Sequence, residues 1–156
     1  MPQSDASPLP VVTPCSAEVR LSDGEVFQAV FWLLPDRGRA SGVTSLDRLL
    51  DGTREFLAVG LPEGGSALVR RDSIVTATLS AEEPGAPDEA EPGASLDVVT
   101  LHLESGDTVS GILQAVSPRG SGRMSDLFNG PERFLAVALA DRVVLVSKSR
   151  IARVSF

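Results

Sequence analysis

Apolar and polar residues alternate in two well-separated stretches of the chain. Val19 and Leu21 alternate with Arg20 and Ser22; Leu101 and Leu103 alternate with Thr100, His102 and Glu104. A period of two predicts a strand with one buried face. Each stretch runs into a small polar pair followed by glycine, Ser22-Asp23-Gly24 and Glu104-Ser105-Gly106. Glycine accepts positive φ, so both predict a tight hairpin. The returning strand of the first copy is apolar on both faces. Phe27, Ala29, Phe31 and Leu33 share one face, and Val30, Trp32 and Leu34 share the other. In the second copy Ile112 and Val116 fall on that second face with Gln114. A strand apolar on both sides is expected to be covered on both sides.

After each returning strand comes a polar loop rich in Gly and Arg, then a short helical signal. Leu46, Leu49 and Leu50 follow Ser45 at helical spacing and stop at Gly52; Met124, Leu127 and Phe128 repeat this and stop at Asn129-Gly130-Pro131. Serine suits the cap and glycine the end of such a turn. The tetrapeptide Phe-Leu-Ala-Val then appears in both copies, at 56–59 and 134–137. Two further strands flank Arg-Arg-Asp-Ser and Ser-Lys-Ser-Arg. The copies align with an offset of 82 at their start, 78 at Phe-Leu-Ala-Val and 77 at their end. This is an internal duplication of a β-β-(short helix)-β-β-β unit. A five-stranded antiparallel sheet of this length curls, so the expected fold is mainly β: two tandem small five-stranded antiparallel barrels. Phe56 and Phe134 are expected to anchor equivalent cores. The expected organisation is a disordered tail at 1–16, a first repeat at 17–79, a linker at 80–95 and a second repeat at 96–156.

Composition sharpens this picture in one place. The net charge is −7, and Glu82, Glu83, Asp88, Glu89 and Glu91 carry five of those charges within 80–95, a stretch without a basic residue. The acidity therefore belongs to the linker, whose Pro, Ala, Gly and Glu cannot bury enough apolar surface to order it. The folded repeats are close to neutral. No apolar run is long enough to span a membrane. The first residues lack a basic and an apolar signal region, and Cys15 is the one cysteine. A reduced, cytoplasmic setting without disulfides is expected.

The order and spacing of these segments resemble the Sm-like family of SH3-like small β-barrels. Leu21, Asp23 and Gly24 match the start of that family's first motif in the first copy; Leu103, Gly106, Gly111 and Leu113 match it in the second. Its second motif resembles the segments LVRRDSI at 68–74 and LVSKSRI at 145–151. The family's RNA-binding Asp-x-x-x-Asn and Arg-Gly pairs are missing, and the helical turn between strands two and three is an insertion. The resemblance thus implies a barrel more than RNA binding. The segment RMSDLFNGPERFLAV also resembles a bacterial domain of unassigned activity.

Catalytic chemistry has little to work with. The single histidine, His102, lies on the polar face of a strand, and Cys15 has no His or Cys neighbour in sequence. No zinc-ligand spacing or phosphate-binding glycine loop is present. A non-enzymatic protein with no cofactor and no metal is expected. The leading expectation is an interaction or scaffold module that binds another protein or itself, with Trp32, Val30, Leu34 and Ile112 as the interface, since Trp is a frequent interface anchor. The alternative is a nucleic-acid binder using Arg70, Arg71, Lys148 and Arg150 in the last hairpins, with Arg153 nearby and Arg37, Arg39, Arg119 and Arg123 in the long loops. Against it stand the near-neutral repeats and the absence of tyrosine for base stacking.

Overall fold

A computed structural model describes residues 11–88, 97–113 and 124–156. The first half contains β1 (Thr13–Leu21), β2 (Val26–Leu33), α1 (Leu46–Leu50), β3 (Phe56–Gly60), β4 (Ser66–Arg70) and β5 (Ile74–Ser80). The second contains β6 (Asp97–Leu103), β7 (Thr108–Leu113), α2 (Met124–Phe128), β8 (Phe134–Ala138), β9 (Arg142–Ser147) and β10 (Ile151–Ser155). One-turn 3₁₀ segments, Arg71–Ser73 and Lys148–Arg150, link β4 to β5 and β9 to β10. Every element read from the sequence is present, in the expected order.

The hairpins form as the glycines require. Gly24 and Gly106 adopt φ of +92° and +95°. Their amides donate to Leu21 and Leu103 carbonyls, each at 2.9 Å. The alternation also holds: Cys15, Ala17 and Val19 of β1 and Val99, Leu101 and Leu103 of β6 are buried. Ser45 stands at the N-cap of α1, but its hydroxyl makes no capping bond. Burial of Leu46 and Leu50, not a cap, holds that helix in place.

The expectation of two closed barrels is corrected. All strands belong to one ten-stranded antiparallel sheet, ordered β10-β6-β7-β8-β9-β5-β1-β2-β3-β4, which does not close. The halves repeat one pairing order, β5-β1-β2-β3-β4 and β10-β6-β7-β8-β9. In each half pairing is thinnest at the same step, at Val30↔Gly60 between β2 and β3 and at Ile112↔Ala138 and Leu113↔Val137 between β7 and β8. Neither half closes, because the edge of β5 is taken by β9 of the other half through five residue pairs, Thr76↔Val146 to Ser80↔Arg142.

Two hydrophobic clusters result, and each borrows from the other half. The larger packs β1, β2, α1, β3 and β5 residues with Phe134, Ala136, Val143 and Leu145. The smaller is built on Val99, Leu101, Leu113, Leu135, Val137, Val144 and Val146, and takes in Val75 of β5. The pair β8–β9 is therefore buried on both faces. This corrects the equivalence of the two phenylalanines: Phe134 is 5% exposed, whereas Phe56 is 45% exposed. In β3 the core residues are Leu57 and Val59.

Two boundaries also move. β1 begins at Thr13, inside the stretch read as a tail, so Cys15 is a buried strand residue. The first part of the acidic segment, 80–88, folds back on the first half. The Gly85 carbonyl accepts from Leu46 N at 2.8 Å, and Arg39 Nη2 donates to the Ala86 carbonyl at 2.7 Å. Residues 89–95 lie outside the described residues.

Candidate functional site

The internal junction is the most distinctive surface of the molecule. Its second half contributes β9 and the outward face of β8–β9, formed by Phe134, Ala136, Val143 and Leu145. Its first half contributes β5, with Ala77 and Leu79, and α1. Asp51, at the C-terminal end of α1, accepts bonds from Arg133 N at 2.9 Å and Phe134 N at 3.1 Å. Burial raises the Asp51 pKa above the usual carboxylate range, these two bonds oppose that, and Asp47 and Glu132 add to the rise.

The same two half-surfaces occur a second time, at strand edges that pair with no other strand among the described residues. β4 is the first-half counterpart of β9, and β10 is the second-half counterpart of β5; these are the two ends of the sheet. Leu145 is 0% exposed in the junction, and its counterpart Leu68 is 71% exposed. Leu79 is 2% exposed, and its counterpart Phe156 is 83% exposed. On the face around Leu68, Phe56 carries the Arg70 guanidinium over its ring at 5.2 Å. These apolar residues at the sheet ends escaped sequence reasoning. The available signal was the similarity of the segments at 67–79 and 144–156, but which of them is covered depends on how the two halves join.

The interface expected from sequence is divided by the fold. Trp32 and Leu34 are exposed, Ile112 marginally so, and Val30 is half-buried. Val30 and Trp32 share the outward face of β2. Ile112 lies on β7, with four strands between them in the sheet order. Trp32 has a local task, since its Cζ2 and Val30 Cβ lie 3.6 Å and 3.5 Å from where a Cβ would stand on Gly60. The ring thus covers backbone that glycine leaves bare.

The four cations of the alternative reading all have intramolecular positions. Arg70 pairs with Glu55 at 3.0 Å. Lys148 Nζ donates to the carbonyls of Gly130 at 2.7 Å and Phe128 at 3.3 Å, at the end of α2. Arg150 Nη2 donates to the Asp72 carbonyl at 2.9 Å. Arg71 is 2% exposed. Its burial and then the neighbouring Arg133 lower its pKa, with Asp72 and Asp51 opposing. The fold brings the two 3₁₀ turns together around a cavity of about 400 Å³, lined by Arg71, Asp72, Arg133, Phe134, Ser147, Lys148 and Ser149. Arg39 is spent on the Val43 and Ala86 carbonyls and Asp88. Arg119 and Arg123 lie outside the described residues.

Among the described residues no three His, Cys, Asp or Glu side chains gather as a metal site, and no helix is long and apolar enough to cross a membrane. His102 Nε2 and Ser155 Oγ lie 3.0 Å apart, bonding β6 to β10. Comparison of the chain with protein-family models, curated proteins and solved structures finds no match.

Proposed function

We propose that this protein is a non-enzymatic interaction module that assembles with itself, head to tail, through the two ends of its sheet. In this reading each half is a small, curled, Sm-like unit, and the chain is two such units joined by a contact that further copies repeat. One observation carries it: the residues whose counterparts are buried at the internal junction, Leu68 of β4 and Phe156 directly after β10, are left bare among the described residues. Transferring the junction register by 77 residues sets Val69 opposite Arg153, Leu68 opposite Val154, Ala67 opposite Ser155 and Ser66 opposite Phe156. An unpaired strand edge offers a full row of backbone donors and acceptors to such a partner. A heterologous contact of this kind builds rings when its rotation closes and filaments when it does not.

The free surfaces are more polar than the internal ones. Ser66 and Arg70 stand where the second half has Val143 and Ser147, and Arg153 stands where the first half has Thr76. The contact between chains is accordingly weaker than the one within the chain, and assembly depends on concentration. Light scattering after size exclusion, run over a concentration series, tests this. Wild type should exceed the monomer mass as concentration rises, and Leu68→Lys should hold it at the monomer mass with an unchanged far-UV spectrum. A wild type that stays monomeric at its highest soluble concentration overturns the proposal. So does an assembly that survives Leu68→Lys and is lost in Trp32→Ala, which would move the interface to the outward face of β2.

A further inference from the structure

One of the contacts that cross the internal junction is an ion pair between Arg20 of β1 and Asp107 of the β6–β7 hairpin, both part-exposed. Each member has a structural counterpart in the other half. The Asp107 carbonyl accepts from Leu103 N and the Glu25 carbonyl from Leu21 N, each at 2.8 Å, so Glu25 closes the β1–β2 hairpin as Asp107 closes the other. Arg20 and His102 directly precede those leucines. Arg20 stands opposite Thr76 of β5, and His102 opposite Arg153 of β10. The counterpart of the Arg20–Asp107 pair is therefore His102 with Glu25, again a cation and a carboxylate once the imidazole is protonated. Within one chain the two do not pair: Glu25 is exposed and makes no ion pair among the described residues.

His102 is the one histidine of the chain, and histidine changes charge between about pH 5 and 8. Its Nδ1 lies 3.4 Å from Arg153 Nη2 and its Nε2 lies 3.0 Å from Ser155 Oγ. A guanidinium only donates, so Nδ1 accepts and the neutral ring carries its proton on Nε2, which donates to Ser155. A second proton takes the Nδ1 lone pair. Arg153 then loses its acceptor, and the ring presents an N–H in its place. The charged groups on the elements around the ring are Arg153 of β10, Glu104 directly after β6, and Asp107 directly before β7, which Arg20 already holds. The facing residue on β7, Thr108, is neutral. Arg153 opposes the second proton and Glu104 favours it.

We propose that His102 makes the head-to-tail assembly of this protein pH-dependent, by binding the Glu25 carboxylate of the next copy when the imidazole is protonated. This rests on the end-to-end contact proposed above, in which β10 takes the place that β5 has in the internal junction and β4 takes that of β9. The same placement brings β6 of one copy to the position of β1, and the β1–β2 hairpin of the next to the position of the β6–β7 hairpin. The charges that meet there are complementary, so the occupant this surface fits is a second copy of the chain. A carboxylate that pairs only with the protonated ring makes proton uptake and assembly mutually favourable. The added affinity is therefore present at the acid end and is lost as pH rises and the ring gives up its proton. Arg153, released from Nδ1, supplies a second cation beside the same carboxylate.

Light scattering of the full chain, run as a concentration series at about pH 6 and about pH 8 and constant ionic strength, tests this. Wild type should assemble about three- to fivefold more tightly at the lower pH, the range of a part-exposed ion pair. Glu25→Gln, a change at an exposed hairpin position, should be equally weak at both. His102→Arg, which matches Arg20 of the internal pair, should assemble at the higher pH as tightly as wild type does at the lower. Assembly that Leu68→Lys abolishes, but that is equal at the two pH values in wild type, overturns this inference and leaves the end-to-end contact standing. So does a pH response that persists in Glu25→Gln, which would assign it to the falling net charge of an acidic chain. A wild type that stays monomeric at both pH values overturns the end-to-end contact, and this inference with it.

Discussion

Cys15 shows how a single residue changes meaning when its surroundings are known. In sequence it stands among prolines near the start of the chain. In the fold it is fully buried in β1, with Gly85 packed close against its sulfur. Burial, then the charge of Glu83, push its pKa up to about 12, with a bond to the Gly85 backbone opposing. The thiolate is the reactive form, so raising the pKa keeps the native thiol neutral and unreactive. An aromatic disulfide reagent should label Cys15 in the native protein only at the rate of unfolding. That rate should stay flat between pH 7 and about 9, where an ordinary thiol of pKa about 8.5 becomes about 25-fold faster. Fast labelling that follows the titration of a free thiol would place Cys15 in a mobile segment.

The elements were legible because their signals are local. Hairpin glycines, period-two alternation in β1 and β6, and the leucine spacing of α1 act over a few residues. The thinly paired β2–β3 and β7–β8 joins were not legible, since they depend on which strands meet. Gly60 and Gly111 lie at those joins and differ in what a side chain would meet. A Cβ on Gly111 would lie 2.5 Å from the Ala138 carbonyl oxygen and 2.7 Å from Val137 Cγ1. One on Gly60 would meet Val30 and Trp32 at ordinary contact distance. Gly111→Ala should therefore destabilise the fold by about 1–3 kcal/mol, the usual cost of overpacking. Gly60→Ala should be close to neutral. Urea unfolding of the two variants side by side checks the contrast, and equal effects would count against the close β7–β8 join.

At the scale of the whole molecule, the two halves are parts of one folding unit. Leu145 belongs to the second half by sequence and to the first half's cluster by packing. Val75 makes the opposite exchange. Neither half can complete its core alone, and a unit of about 60 residues is marginal even when complete. Leu145→Ala should cost about 2–5 kcal/mol and shift a single calorimetric transition without splitting it. Two resolved transitions, one unmoved by the substitution, would show that the halves fold independently. The exchange also explains why the phenylalanines of the repeated tetrapeptide part company. Phe134 lies on the face that the first half covers; Phe56 lies on the corresponding face, half exposed beneath the Arg70 guanidinium.

The sequence by itself determined the strands, the hairpins, the short helices and their order, because propensity, periodicity and glycine placement are read over a few residues. It also placed five of the seven net negative charges within 80–95. Only the tertiary structure decided that β9 pairs with β5, that one sheet replaces two closed barrels, and that Leu68 and Phe156 are bare while Leu145 and Leu79 are sealed. Similar segments carry similar local preferences, so nothing local says which of them supplies the inner edge and which the outer. That choice is made when the two copies meet, and the same meeting gathers Arg71, Arg133 and Lys148 around one cavity.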